Sequence, residues 1–143
     1  MWANGSSAVY VRDSGLLHTL LGLGDVHALL AHPVVGASWE SFAVEQLLAA
    51  APAQVQGYFY RTSGGAKIDL LLVWPDNRKW AIEIKRSLTP RLERGFHAAC
   101  ADLEPQVRFM VYPGRTTYPV RDDVTATPLA DLVRRLGSGE PTR

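Results

Sequence analysis

The stretch IDLLLVWPDNRKWAIEIK, residues 68–85, constrains the fold more than any other, because two strongly apolar runs flank a turn composition. Successive side chains on a strand point to opposite faces. Ile68, Leu70, Leu72 and Trp74 therefore share one face of the first run, and Trp80, Ile82 and Ile84 share one face of the second. Both sets are wholly apolar. Burying them together requires even-numbered residues to pair with even-numbered ones, which fixes an odd-length connection such as Pro75, Asp76 and Asn77. The same parity sends Asp69, Glu83 and Lys85 to the opposite face, with Leu71, Val73 and Ala81. A face of that mixed composition is partly covered, and a covered carboxylate needs a cation, since desolvating an unpaired one costs several kcal/mol. Lys85 supplies one positive charge. A hard divalent ion such as magnesium, which prefers oxygen ligands, is the natural second. The competing reading is a solvated strand end at which Glu83 and Lys85 simply meet water.

The flanking sequence predicts what surrounds this hairpin. AVYVR (8–12) has the composition of a short strand, GLLHTLLGL and VHALLAH of two short helices, and a longer helical pattern runs from about Val34 to Ala51. QVQGYFYR (54–61) adds a strand before the hairpin, joined to it by the turn TSGG. Pro90 opens an expected helix through RLERGFHAACADL, Pro105 closes it, and QVRFMVY (106–112) is a further strand. A turn at PGRTTYP, a short strand and a helix at PLADLVRRL complete the pattern, and residues 137–143 form a loose tail. Helix, three strands, helix, strand, helix implies an α/β (α+β) domain: a mixed central sheet flanked by helices, its strand after residue 105 returning parallel through a helical crossover. At 143 residues and 47% apolar content one domain spanning 1–143 is expected.

Chemistry is bounded by what is scarce. A single cysteine, Cys100, leaves no internal disulfide and no Cys-rich zinc site, and points to a reducing, cytoplasmic setting. Cys100 lies in an Ala-rich helical stretch and fits a small core residue. The four histidines lack any metal-binding spacing. No window approaches a membrane span, and GGAK has the wrong spacing for a phosphate-binding loop. Net charge is only +1, but Arg12 is the only Lys or Arg before Arg61. Arg61, Lys67, Arg78, Lys79, Lys85, Arg86, Arg91 and Arg94 then follow in quick succession, a local basic surface of the kind that attracts phosphate backbones.

The long helix carries a third carboxylate. At about 100° per residue, Glu40 falls within a stripe of Gly36, Ala37, Ala43, Val44, Leu47 and Leu48, while Val35, Trp39 and Phe42 group across the helix. If that stripe packs on the charged face of the hairpin, Glu40 joins Asp69, Glu83 and Lys85; alternatively it pairs with an arginine such as Arg61.

A helix-borne Glu, a strand Asp, then E-x-K on the next strand resembles the PD-(D/E)XK nuclease superfamily, whose restriction-endonuclease-like core has this order. The stretches VYVRDSGLLHTLLGL, GASWESFAVEQLL, YFYRTSGGAKIDLLL and WAIEIKRS are similar to one branch of it, the domain C-terminal to the ATPase module in prokaryotic AAA-type ATP-binding proteins. The resemblance implies Mg2+ (or Mn2+) bound by Asp69, Glu83 and the backbone carbonyl of Ile84. It implies that Lys85 activates the attacking water and Glu40 supports the metal, with DNA or RNA contacted by Arg61, Lys67, Arg86 and Arg91. The implied activity is phosphodiester hydrolysis or a degenerate descendant of it; the alternative is a docking, oligomerisation or nucleic-acid-binding module beside an ATPase. Two positions depart from the pattern: Ile68 stands in place of Pro, and Lys67 stands where that branch has an acid.

Overall fold

A computed structural model describes residues 33–121 and 123–139 of the chain. The strand expected at 8–12 and the two helices expected between 15 and 32 lie outside those residues. The described chain runs α1 (Pro33–Ala50), β1 (Gln56–Arg61), β2 (Lys67–Val73), β3 (Lys79–Ile84), α2 (Arg94–Leu103), β4 (Val107–Tyr112), β5 (Tyr118–Pro119), β6 (Val124–Pro128) and α3 (Leu129–Ser138). Six strands form one mixed sheet in the order β1-β2-β3-β4-β6-β5. The expected α+β class with helices flanking a mixed sheet is what the chain adopts. No helix among the described residues is long and apolar enough to cross a membrane.

The hairpin has the register that parity demands. Leu70 pairs with Ile82, Leu71 with Ala81 and Leu72 with Trp80. The Trp74 N–H donates to the Arg78 carbonyl at 2.9 Å, closing a three-residue connection of Pro75, Asp76 and Asn77. Asn77 returns its N–H to the Trp74 carbonyl and sits at φ 69°, the left-handed residue that follows a tight turn in hairpins of this length. β3 then runs parallel to β4, as the helical crossover through α2 predicts.

Helices cover both faces. Trp39, Ala43 and Leu47 of α1, with Leu132 and Leu136 of α3, pack on Leu70, Leu72, Trp80, Ile82, Ile84, Phe109 and Val111. Phe96, Ala99 and Cys100 of α2 pack on Leu71, Ala81, Met110, Tyr112 and Ala126. Cys100 is thus a core residue, and burial pushes its thiol up to about 11.

Three expectations change. α1 lies on the apolar even-numbered face, not on the charged one, because its Trp39, Ala43 and Leu47 find a larger apolar surface there; α2 takes the other face. α2 begins at Arg94 rather than near Pro90: Glu93 is extended (φ −96°, ψ 154°), and its carboxylate is used to hold Lys85. Gly95 lets this first turn pass close to the TSGG turn, since a Cβ there would lie 2.4 Å from the Gly65 carbonyl oxygen. Finally, strict alternation fails inside β2. Tyr58 pairs with Leu71 but Tyr60 with Ile68, so two steps along β1 face three along β2. Ile68 accordingly joins Leu71 and Ala81 in the core under α2, while Leu70 and Leu72 lie under α1. The extra residue of this bulge falls at Asp69 and Leu70, and bulges re-aim the side chains they carry.

Candidate functional site

The bulge sets the position of Asp69. Beyond Leu70 and Ile82 the β2–β3 ladder stops, and the Asp69 carboxylate takes over: Oδ2 accepts the Ile84 N–H at 2.8 Å. Oδ1 lies 2.9 Å from Lys67 Nζ. Glu83, only 3% exposed, places Oε1 3.0 Å from Lys85 Nζ, and the same ammonium reaches Glu93 Oε1 at 2.8 Å. Among the described residues Oε2 of Glu83 is buried without a partner. Neighbouring elements fix the backbone that carries Lys85. Its N–H donates to the Val111 carbonyl at 2.8 Å, and its carbonyl accepts the Trp39 indole N–H at 3.1 Å.

Glu40 reaches the same region from α1. A cleft of about 820 Å3 is lined by Glu40, Arg61, Lys67 and Asp69, together with Ile84 and the β1 aromatics. Burial, and then the charge of Asp69, raise the Glu40 carboxyl above its ordinary value against the opposing pull of Lys67, Arg86 and Lys85. Among the described residues no ion pair joins Glu40 to Arg61. Burial also raises Glu83, with Lys85 opposing and Asp69 adding to the rise. For Lys67 burial alone would lower the ammonium's pKa, but the hydrogen bond and charge of Asp69, backed by Glu40 and Glu83, leave it raised. Lys85 is likewise raised against burial by Glu93 and Glu83. Its hydrogen bond and charge in turn lower Glu93.

The family model described as Domain of unknown function (DUF4143) matches residues 35–132. The chain belongs to this family. An uncharacterized protein of Mycobacterium tuberculosis and one of Mycobacterium bovis are each 44% identical to it over 133 residues, 93% of this chain and 30% of theirs. The chain thus spans about a third of the length of the curated relatives it matches. No solved structure gives a significant match.

In this DUF4143 chain the acids are gathered but already answered. Among the described residues no three His, Cys, Asp or Glu side chains converge closely enough to hold a metal ion. Lys67 and the Ile84 N–H occupy the two oxygens of Asp69, and Lys85 occupies one oxygen of Glu83. As placed, these residues do not fit the divalent ion that Asp69, Glu83 and Ile84 were expected to bind. Two ammonium groups, those of Lys67 and Lys85, lie against these carboxylates. Of the expected nucleic-acid contacts, Arg61, Arg86 and Arg91 are exposed, with Arg61 on the cleft wall and Arg86 near enough to act on Glu40. Lys67 is engaged by Asp69. Glu93 and Trp39, which hold Lys85 through side chain and backbone, carry no sequence signal for that role: the pattern puts the first inside the expected helix and the second in the apolar group across α1.

Glu40 offers a pH test. Its folded pKa is raised, so the native state binds that proton more tightly than the unfolded chain. The group's contribution is fully present below the unfolded value of 4.5 and is lost as pH rises through the folded one. Glu40→Gln, which removes the charge, is therefore expected to raise Tm by roughly 2 °C at pH 7. The gain should vanish below pH 4.5. Thermal melts across that range check it; a gain that persisted in acid would remove ionisation as the cause.

Proposed function

We propose that this chain is an accessory nucleic-acid-binding domain of a longer, ATPase-associated protein, built on a nuclease-like centre in which lysines have replaced the metal. Binding rather than cutting is its role. The observation that carries this reading is the Lys67–Asp69 pair at 2.9 Å, which neutralises the carboxylate a metal would need. The exposed guanidinium groups of Arg61 and Arg86 beside the cleft, and the resemblance to the PD-(D/E)XK superfamily, support a phosphate backbone as the ligand. That this unit fills only 30% of its mycobacterial relatives supports a domain working beside others.

Fluorescence anisotropy with single- and double-stranded oligonucleotides in EDTA tests it. Binding should weaken steeply with salt, and the joint replacement Arg61→Ala, Arg86→Ala and Arg91→Ala should cost at least about tenfold in Kd at low salt. Absence of binding at low salt, or indifference to the triple replacement, refutes the proposal. A second reading, metal-dependent phosphodiester hydrolysis, is favoured by one observation, the buried and unpartnered Oε2 of Glu83. Cleavage of those oligonucleotides with added Mg2+ or Mn2+, lost in Glu83→Gln, would select it.

A further inference from the structure

At the hairpin end of the sheet, away from the acid–lysine cleft, three rings and two guanidinium groups form a continuous ladder. Arg78 stacks over Trp74 at 5.4 Å, Trp74 lies 4.8 Å from Trp80, Trp80 lies 5.3 Å from Phe109, and Arg135 caps Phe109 at 5.4 Å. A cation sits at each end, held by the ring faces. Beside the ladder is a cavity of about 200 Å3, whose walls include Gln54, Trp74, Arg78, Trp80 and Arg135. It shares no lining residue with the larger cleft.

Among the described residues the charge lining this cavity is of one sign. Trp80 is 2% exposed, and among the described residues its indole N–H is buried without an acceptor. Among the same residues Nε of Arg135 is also buried and unpartnered. Buried donors are nearly always satisfied in folded proteins, so two orphans at one cavity ask for an acceptor. Among the described residues no acidic side chain lines the cavity. Arg78 already shows what such donors take, since Asp76 holds its Nε at 2.7 Å in an exposed pair that leaves the remaining guanidinium hydrogens available.

We propose that this cavity is a binding pocket for a single oxyanion group, phosphate or carboxylate, gripped by the Trp80 indole N–H and the Arg135 and Arg78 guanidinium groups. Water could satisfy the two N–H groups, but only an anion also neutralises Arg135 and takes up the guanidinium hydrogens that Asp76 leaves available on Arg78, through charge-assisted hydrogen bonds. The pocket is independent of the nucleic-acid reading above.

The test follows the NMR signal of the Trp80 indole N–H, identified by its loss in Trp80→Phe, as inorganic phosphate replaces chloride at constant ionic strength. A parallel titration uses acetate. A saturable shift is expected. Saturation by phosphate alone marks a phosphate pocket and saturation by acetate a carboxylate pocket, each supporting the proposal. Arg135→Gln should weaken the saturating anion by about tenfold. Arg78→Gln, at the exposed end of the ladder, should weaken it without threatening the core. No saturable shift with either anion, or wild-type affinity in both folded arginine variants, overturns the proposal.

Discussion

Lys85→Met is expected to destabilise the protein by about 3 kcal/mol at pH 7, a loss typical of removing one partner from a buried ion pair. Tm should fall by roughly 10 °C for a chain of this size. Among the described residues Lys85 is the one cation on Glu83 Oε1 and Oε2 has no partner, so Glu83, 3% exposed, would keep its burial and lose that cation. The pH dependence separates this cause from lost packing. Burial already holds the Glu83 carboxyl above its ordinary value with Lys85 pulling against it, so removing Lys85 raises it further. A raised folded pKa favours the native state below the unfolded value of 4.5, and that favour is lost as pH rises through the folded one. The deficit of Lys85→Met should therefore be smallest in acid and full at pH 7 to 8. Adding Glu83→Gln should restore most of the stability at neutral pH. Chemical denaturation of the three proteins across that range reads the result; an equal deficit at every pH, unrelieved by the second change, would mean that the alkyl chain of Lys85 rather than its charge was lost.

Lys67→Glu is expected to raise metal affinity well above that of the unaltered protein. The replacement removes the ammonium 2.9 Å from Asp69 Oδ1 and adds an acid to a neighbourhood that already holds Glu40, Asp69 and Glu83. Hard divalent ions take such oxygen sets. Calorimetry should show Mn2+ binding in the submillimolar range. Saturating metal at about 100 times Kd should stabilise the variant by about 2.7 kcal/mol through linkage alone. Lys67→Met, which removes the ammonium without supplying an acid, should fall between the two. If Lys67→Glu stays silent to millimolar Mn2+, the acids do not converge around the lysine and its part as a tethered substitute for the ion fails.

How much of this could be read in advance follows the physics of each element. The pairing of β2 with β3 was legible because seven apolar residues of one parity admit a single register, and Trp74 to Arg78 closes with the odd-length turn they require. The parallel return of β4 was legible from its helical crossover. The layer assignment was not: Ala43 and Leu47 of the Glu40 stripe pack together with Trp39 on the broader apolar face, and periodicity does not weigh one sheet face against the other. Glu40 still shares the cleft with Asp69, for a reason no alternation rule contains. The bulge at Asp69 and Leu70 breaks the period of two, and nothing in KIDLLLV marks it. Chain-local patterns also could not say that Glu93 would leave the helix to serve Lys85, a contact set by where α2 crosses the sheet.

The most direct test of the lysine-for-metal centre is a Mn2+ titration of the unaltered protein, followed by calorimetry and by the electron paramagnetic resonance of free Mn2+. No uptake at millimolar concentration is predicted, because Lys67 and Lys85 already neutralise Asp69 and Glu83. Uptake of one ion per chain, abolished by Asp69→Asn and by Glu83→Gln, would contradict it.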